Sequence, residues 1–226
     1  MATSVKVLNN TTEKLLDDLK DTIRKGSKVS IAAACFSIYA YQALQKELEG
    51  VEEFRFLYTA PSFVEDSAGG LGDREKQRKE FYIPRFSGES GLYGTEFEIK
   101  LRNELTQRGI ARECAAWIRN KAKFKANAGD GGITGFMTIE YSLSTTAYNS
   151  LQEFTTVDLG AERGNRLVEN IIRVEEEAGQ ETEITKKFVR DFESLWNDRG
   201  RMQDVTEAVI QRISSVYEEN APEFIY

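Results

Sequence analysis

The 226-residue chain contains no histidine. That absence removes every serine–histidine or cysteine–histidine nucleophile, every imidazole general base and every histidine-ligated metal centre. Catalysis would have to run on carboxylates, Lys, Tyr or an unaided Cys. Cysteine is nearly absent too: Cys35 and Cys114 stand alone. They form no metal-spaced pair and no disulfide framework, which suits a reducing cytoplasm. No apolar run approaches the roughly 20 residues that span a bilayer, so no membrane contact is expected. The opening "MATSVKVLNN" has neither the basic nor the apolar region of a signal peptide. No G-x-x-x-x-G-K-[ST] pattern occurs, so this chain alone is not a P-loop motor.

What is present is an ordinary soluble composition, 40% hydrophobic and 30% charged, in a length that suits one large domain or two small ones. The net charge of −7 does not favour bulk attraction to nucleic acid, but it is unevenly spread. From Lys100 to Lys125 there are eight basic residues against two acids, and from Glu175 onward thirteen acids against six bases. The middle can carry a basic face for a polyanion or acidic partner, although solvated helix faces are the commoner cause of such asymmetry.

Hydrophobic periodicity orders the elements. "NTTEKLLDDLKDTIRKG" has Asn10 as N-cap, Glu13 at the capping-box position, an apolar face of Leu15, Leu16, Leu19 and Ile23, and Gly26 as its stop. "KVSIAAACF" is apolar throughout, as strands buried on both faces of a parallel sheet are. Ser37 caps a helix with Tyr41, Leu44 and Leu48 on one stripe, and "EFRFLYT" follows as a strand. Strand, helix and strand with short joints predict a βαβ unit and an α/β fold with a mostly parallel sheet flanked by helices. Residues 60–93 read as a long surface insertion, rich in Gly, Ser and charge. A helix broken at Gly109 comes next, then strands "AKFKAN" and "GGITGFMTIE" around "AGDGG", then "LQEFTTVDLG" as a further strand. From residue 161 the chain is expected to be helical, with stripes Ile184–Phe188–Phe192–Leu195–Trp196 and Val205–Val209–Ile213–Val216. Glu175 to Glu177 read as a solvated helix face. The expected division is thus 1–160 and 161–226.

Motifs for chemistry are sparse. "GGLGDR" and "GDGGITG" read as turns. Glu98-Ile99-Lys100 matches the E-x-K half of a metal-dependent nuclease site with Asp66 and Asp73 upstream, but it falls on a predicted helix.

"KVSIAAACFSIYAYQALQKEL" leading to "EEFRFLYT" resembles the first half of phospholipase D-like domains. With "ARECAAWIRNKAKFK", "FTTVDLGAERGN", "LWND" and "YEENAPEFIY", nearly the whole chain resembles the N-terminal domain of large bacterial Swi/Snf-type helicases. The resemblance implies a phospholipase D-like sheet with a helical C-terminal region leading into an ATPase motor of the same polypeptide. Active phospholipase D relatives carry H-x-K on a strand, the histidine attacking the phosphodiester and the lysine holding its oxygens, followed by a Gly-Ser-Ser-Asn-Phe-Thr-like loop. Here Thr138 stands in the histidine's place, Glu140 in the lysine's, and Ser150 to Thr155 in the loop's. Thr138 has no imidazole and Glu140 repels phosphate, so the resemblance implies a domain without catalysis and without a cofactor of its own.

Two main classes of function follow, with a metal-dependent nuclease at Glu98 and Lys100 as a lesser third. One is a DNA-binding or regulatory accessory module of a helicase, holding the backbone through Arg74, Lys76, Arg78 and Lys79 in the insertion and Arg119, Lys121, Lys123 and Lys125 in "RNKAKFK". Those last four alternate, so an extended strand would show them on one face, where they would also serve to guard a sheet edge. The other is a docking module for the motor or a partner protein; a homodimer is compatible with either. Phe224, Ile225 and Tyr226, after Pro222, are expected to begin an element of the next domain.

Overall fold

The computed structural model describes residues 3–60, 104–129, 132–161, 170–179 and 183–218. Its elements are β1 (Ser4–Leu8), α1 (Leu15–Thr22), β2 (Lys28–Ala33), α2 (Ile38–Ala43), α3 (Gln45–Glu49) and β3 (Glu53–Tyr58). They continue with α4 (Glu104–Lys121), β4 (Ala122–Asn127), β5 (Phe136–Tyr141), β6 (Ser144–Asn149), β7 (Ile171–Glu177), α5 (Ile184–Trp196), β8 (Met202–Asp204) and α6 (Thr206–Glu218). The eight strands form one sheet in the order β1-β7-β6-β5-β2-β3-β4-β8.

The βαβ unit is there: α2 and α3 connect β2 to a parallel β3, and β3 pairs parallel with β4. Ser37 caps α2 as expected, its hydroxyl accepting from the Tyr39 amide at 3.2 Å. The sheet as a whole is nonetheless mostly antiparallel, because the other five pairings among the described strands all run antiparallel. The apolar run in β2 reflects burial on both faces at the centre of the sheet, which says nothing about the direction of β5 beside it.

The stretch after residue 161, expected to be helical, contributes β7 and β8 to the same sheet. "IIRVEEE" is a strand between β1 and β6, and Glu176 is buried within it rather than solvated on a helix. The segment "LQEFTTVDLG" makes only a single bridge, Phe154 to Phe36, before turning. α4 runs unbroken through Gly109. α1 starts at Leu15 rather than beside Asn10; the Asn10 side chain instead reaches forward, accepting from the Leu15 amide at 2.9 Å.

Alternation along the strands divides the sheet into two faces. On one, Val29, Ile31, Phe54, Phe56, Phe124, Met137, Ile139 and Tyr148 build the main core with α1, α2, α4 and α6. Phe36 packs edge-on against Phe54, Phe56 and Phe124, with centroids 5.1–6.2 Å apart. On the other, Ala32, Leu57 and Phe136 pack with Phe192 and Trp196 of α5 and Met202 of β8. Helices therefore flank both faces.

Gly135 is fixed by close approach. A Cβ there would lie 1.6 Å from the Leu151 carbonyl oxygen, so only glycine lets the chain enter β5 along this path.

Candidate functional site

Thr138 lies on β5 in register with Ser30 of β2 and Ala147 of β6, fully buried. Glu140, two residues on, shares its face at half burial, in register with Lys28 and Thr145. That face is the one α5 covers. The helix crosses the strands: Thr185 at its start is bound to β7, Phe188 and Phe192 rest on Phe136 of β5, Glu193 reaches β3 and Trp196 reaches β4.

Polar groups from the sheet hold α5 at both ends and in the middle. Glu176 accepts from the Thr185 amide at 2.8 Å and from its hydroxyl at 2.7 Å, a carboxylate at the positive end of the helix dipole. Lys125 donates to the Trp196 carbonyl at 2.7 Å, an ammonium at the negative end, and stands 4.7 Å from the centroid of the Trp196 ring. Between them, buried Arg55 donates to Ser30 Oγ at 3.0 Å and to Glu193 Oε1 at 2.7 Å, with its guanidinium 5.0 Å from the Phe192 ring. Glu176 and Arg55 were not expected as interacting residues. Glu176 sits in an acidic run that reads as solvent-facing, while the one charge inside the apolar strand "EFRFLYT" was a signal that something must cover Arg55.

The loop expected to follow the catalytic strand is structural here. Phe154 donates to the Cys35 carbonyl at 2.9 Å and accepts from the Ser37 amide at 3.0 Å, tying residues 151–160 to the exit of β2. The Asn10 amide donates to the Asp158 carbonyl and secures the far end of the same loop.

The four cations of "RNKAKFK" do not form one row. Arg119 and Lys121 occupy the last turn of α4, Lys123 and Lys125 lie on β4, and the helix passes into the strand without a loop. β4 is an edge only over its first half: β8 pairs with Lys125 to Asn127 on the outer side, and the start of α6 bonds Phe124. Arg119 donates to Ser214 Oγ at 3.4 Å and Lys121 to the Val51 carbonyl at 3.0 Å. Lys123 is exposed, and Lys125 is committed to α5. Arg119, Lys121 and Lys123 together line an open depression of about 380 Å³, whose rim also carries Glu52 and Glu53.

Arg74, Lys76, Arg78, Lys79, Asp66, Asp73, Glu98, Lys100 and Phe224 to Tyr226 lie outside the described residues. Among the described residues, no group of three or more Cys, Asp or Glu is arranged to hold a metal ion. No helix there is long and apolar enough to cross a membrane. No protein-family model matches the chain, and comparison with curated proteins finds no match.

Proposed function

We propose that this chain is a non-catalytic accessory domain of an ATP-dependent DNA helicase or translocase, phospholipase D-like in descent, and that it holds nucleic-acid backbone at the junction of α4 and β4. The observation that carries the DNA contact is the convergence of Arg119, Lys121 and Lys123 on one open depression, with Lys123 exposed. A cluster of cations without a base-reading element suits phosphate contacts, which position a duplex without reading its sequence. The loss of catalysis is supported by the absence of histidine and by the cover α5 lays over the face that carries Thr138 and Glu140. The helicase motor belongs to the proposal through the resemblance of the sequence.

Glu52 and Glu53 beside the cations limit the local positive potential, so binding is expected to be weak and strongly salt-dependent. The test is retention of duplex DNA of unrelated sequences across a salt series. Wild type should show a linear fall in log affinity with log salt. Lys123→Glu should weaken binding of all sequences alike, and Lys125→Met should have little effect, because Lys125 is used inside the fold. Equal binding by wild type and Lys123→Glu at low salt would remove the DNA contact. A docking role is favoured by a different observation, the apolar edge strand β1.

A further inference from the structure

We propose that β1 is a docking edge for a second copy of this chain, the two copies pairing β1 against β1 antiparallel about a two-fold axis and joining their sheets. Among the described residues, β1 has a strand neighbour on one side only, β7, to which all five of its residues pair in regular register. The opposite side presents a row of main-chain donors and acceptors, which natural edges guard with lysine, proline or a bulge. β1 reads "SVKVL", with neither proline nor bulge. Its single charge, Lys6, is drawn to the α1 face by Glu13 at 3.6 Å and Asp18 at 3.5 Å.

The opposite face of the strand is apolar and open. Val5 is 61% exposed and Val7 49%, and Ile172, in register with Val7, is 39% exposed. These three make up most of the exposed large aliphatics among the described residues, and the register sets Val7 beside Ile172 on one face. Isolated exposed aliphatics need no explanation, but a contiguous strip beside an open edge does.

The strip fits itself. Val5-Lys6-Val7 reads the same in both directions, so a two-fold axis through Lys6 sets Val5 against the second copy's Val7, and Val7 against its Val5. The two Lys6 side chains then meet on the far face, each with its own Glu13 and Asp18 as counter-charge. On the near face, Val5, Val7 and Ile172 of both copies merge into one apolar band between two α5 helices. A single strand pair with such a band falls at the small end of specific interfaces, below about 1,200 Å² of total buried area, so the dimer is expected to be weak, micromolar or weaker. The inference does not rest on DNA binding.

The experiment is sedimentation equilibrium of the full chain over micromolar to millimolar concentrations. Wild type should fit a monomer–dimer equilibrium. The double variant Val5→Lys/Val7→Lys should raise the dissociation constant by about tenfold or more, with unchanged circular dichroism and unfolding midpoint. Ile172→Lys, on the neighbouring strand, should weaken association in the same direction and serves if the double variant fails to fold. Leu143→Lys, at the exposed turn between β5 and β6, should change nothing. A wild type that stays monomeric throughout, or a dimer that survives both the β1 and Ile172 variants, would overturn the proposal.

Discussion

Lys125 Nζ and the carbonyl oxygen of Trp196 lie 2.7 Å apart, joining the fourth strand of the chain to the last residue of α5. Glu176 holds the other end of that helix through Thr185. The sheet thus supplies an anion to the helix N-terminus and a cation to its C-terminus, the arrangement the helix dipole favours. Glu176→Ala is expected to lower unfolding free energy by about 1–2 kcal/mol, and Lys125→Met by about 1 kcal/mol. The two contacts are about 20 Å apart along the helix, so the losses should add. Urea denaturation of both single variants and the double variant checks this; a double loss far above the sum would mean that α5 leaves the sheet as a unit.

Arg55 is a buried charge that leans on Glu193 at 2.7 Å, with Ser30 at 3.0 Å and Glu53 at 3.7 Å beside it. It is 8% accessible, while the side chain of Glu193 above it is 42% accessible, so water already screens part of the pair. Glu193→Ala should therefore cost about 1–3 kcal/mol, less than removing one member of a fully buried pair. Arg55→Met with Glu193→Leu should recover much of that loss by replacing both charges with apolar contact to Phe192 and Trp196. Thermal unfolding of the two variants decides; equal destabilisation would show that Arg55 packs in a way Met cannot reproduce.

Gly135→Ala tests the close approach to Leu151. Backbone, rather than a flexible side chain, occupies the space a Cβ needs, so the entry to β5 must shift. The expected loss is about 3 kcal/mol or more, at the upper end for overpacking. Gly132→Ala, with open space around it, should change stability by less than about 1 kcal/mol. Equal behaviour of the two would contradict the geometry.

Alkaline pH should unfold the protein through its buried phenols. Burial raises Tyr41, Tyr58 and Tyr148 above the ordinary value of 10.0. Tyr148 also donates to Asp18 at 2.8 Å, an arrangement only the neutral phenol can make. A group whose pKa is raised in the folded state contributes stability that is complete below the unfolded-state pKa and declines as pH rises past it. Stability should thus be flat with respect to these groups at neutral pH and fall above about pH 10. Tyrosinate absorbance followed beside circular dichroism is the measurement. The buried phenols should ionise together with loss of structure; ionisation in the intact fold would refute the assignment.

The βαβ core was legible because its signals are local. An apolar strand, a serine cap and an apolar stripe are each complete within a few residues of "KVSIAAACFSIYAYQALQKEL". The direction of β5 was not legible, since an apolar strand looks alike in either direction. β7 was lost for a different reason. In "IIRVEEE" the inward glutamate is satisfied by the start of α5, and its burial depends on a helix that the strand itself does not encode. The basic row failed at the junction of Lys121 and Ala122, where helix becomes strand with neither glycine nor proline to mark it. Three of its cations, Arg119, Lys121 and Lys123, still line one depression, while Lys125 serves the fold.

The pairing of β1 with β7 sets Ser4 opposite Glu175, so β1 has no place in the sheet until a strand far along the chain is there to receive it. β8 and the helix across the sheet arrive later still. The parallel unit of β2 and β3 can assemble from neighbours, but closure of the sheet is a long-range event whose loop entropy is met before its contacts form. Such a chain is expected to fold slowly for its size, with the outer strands joining the sheet after its parallel centre.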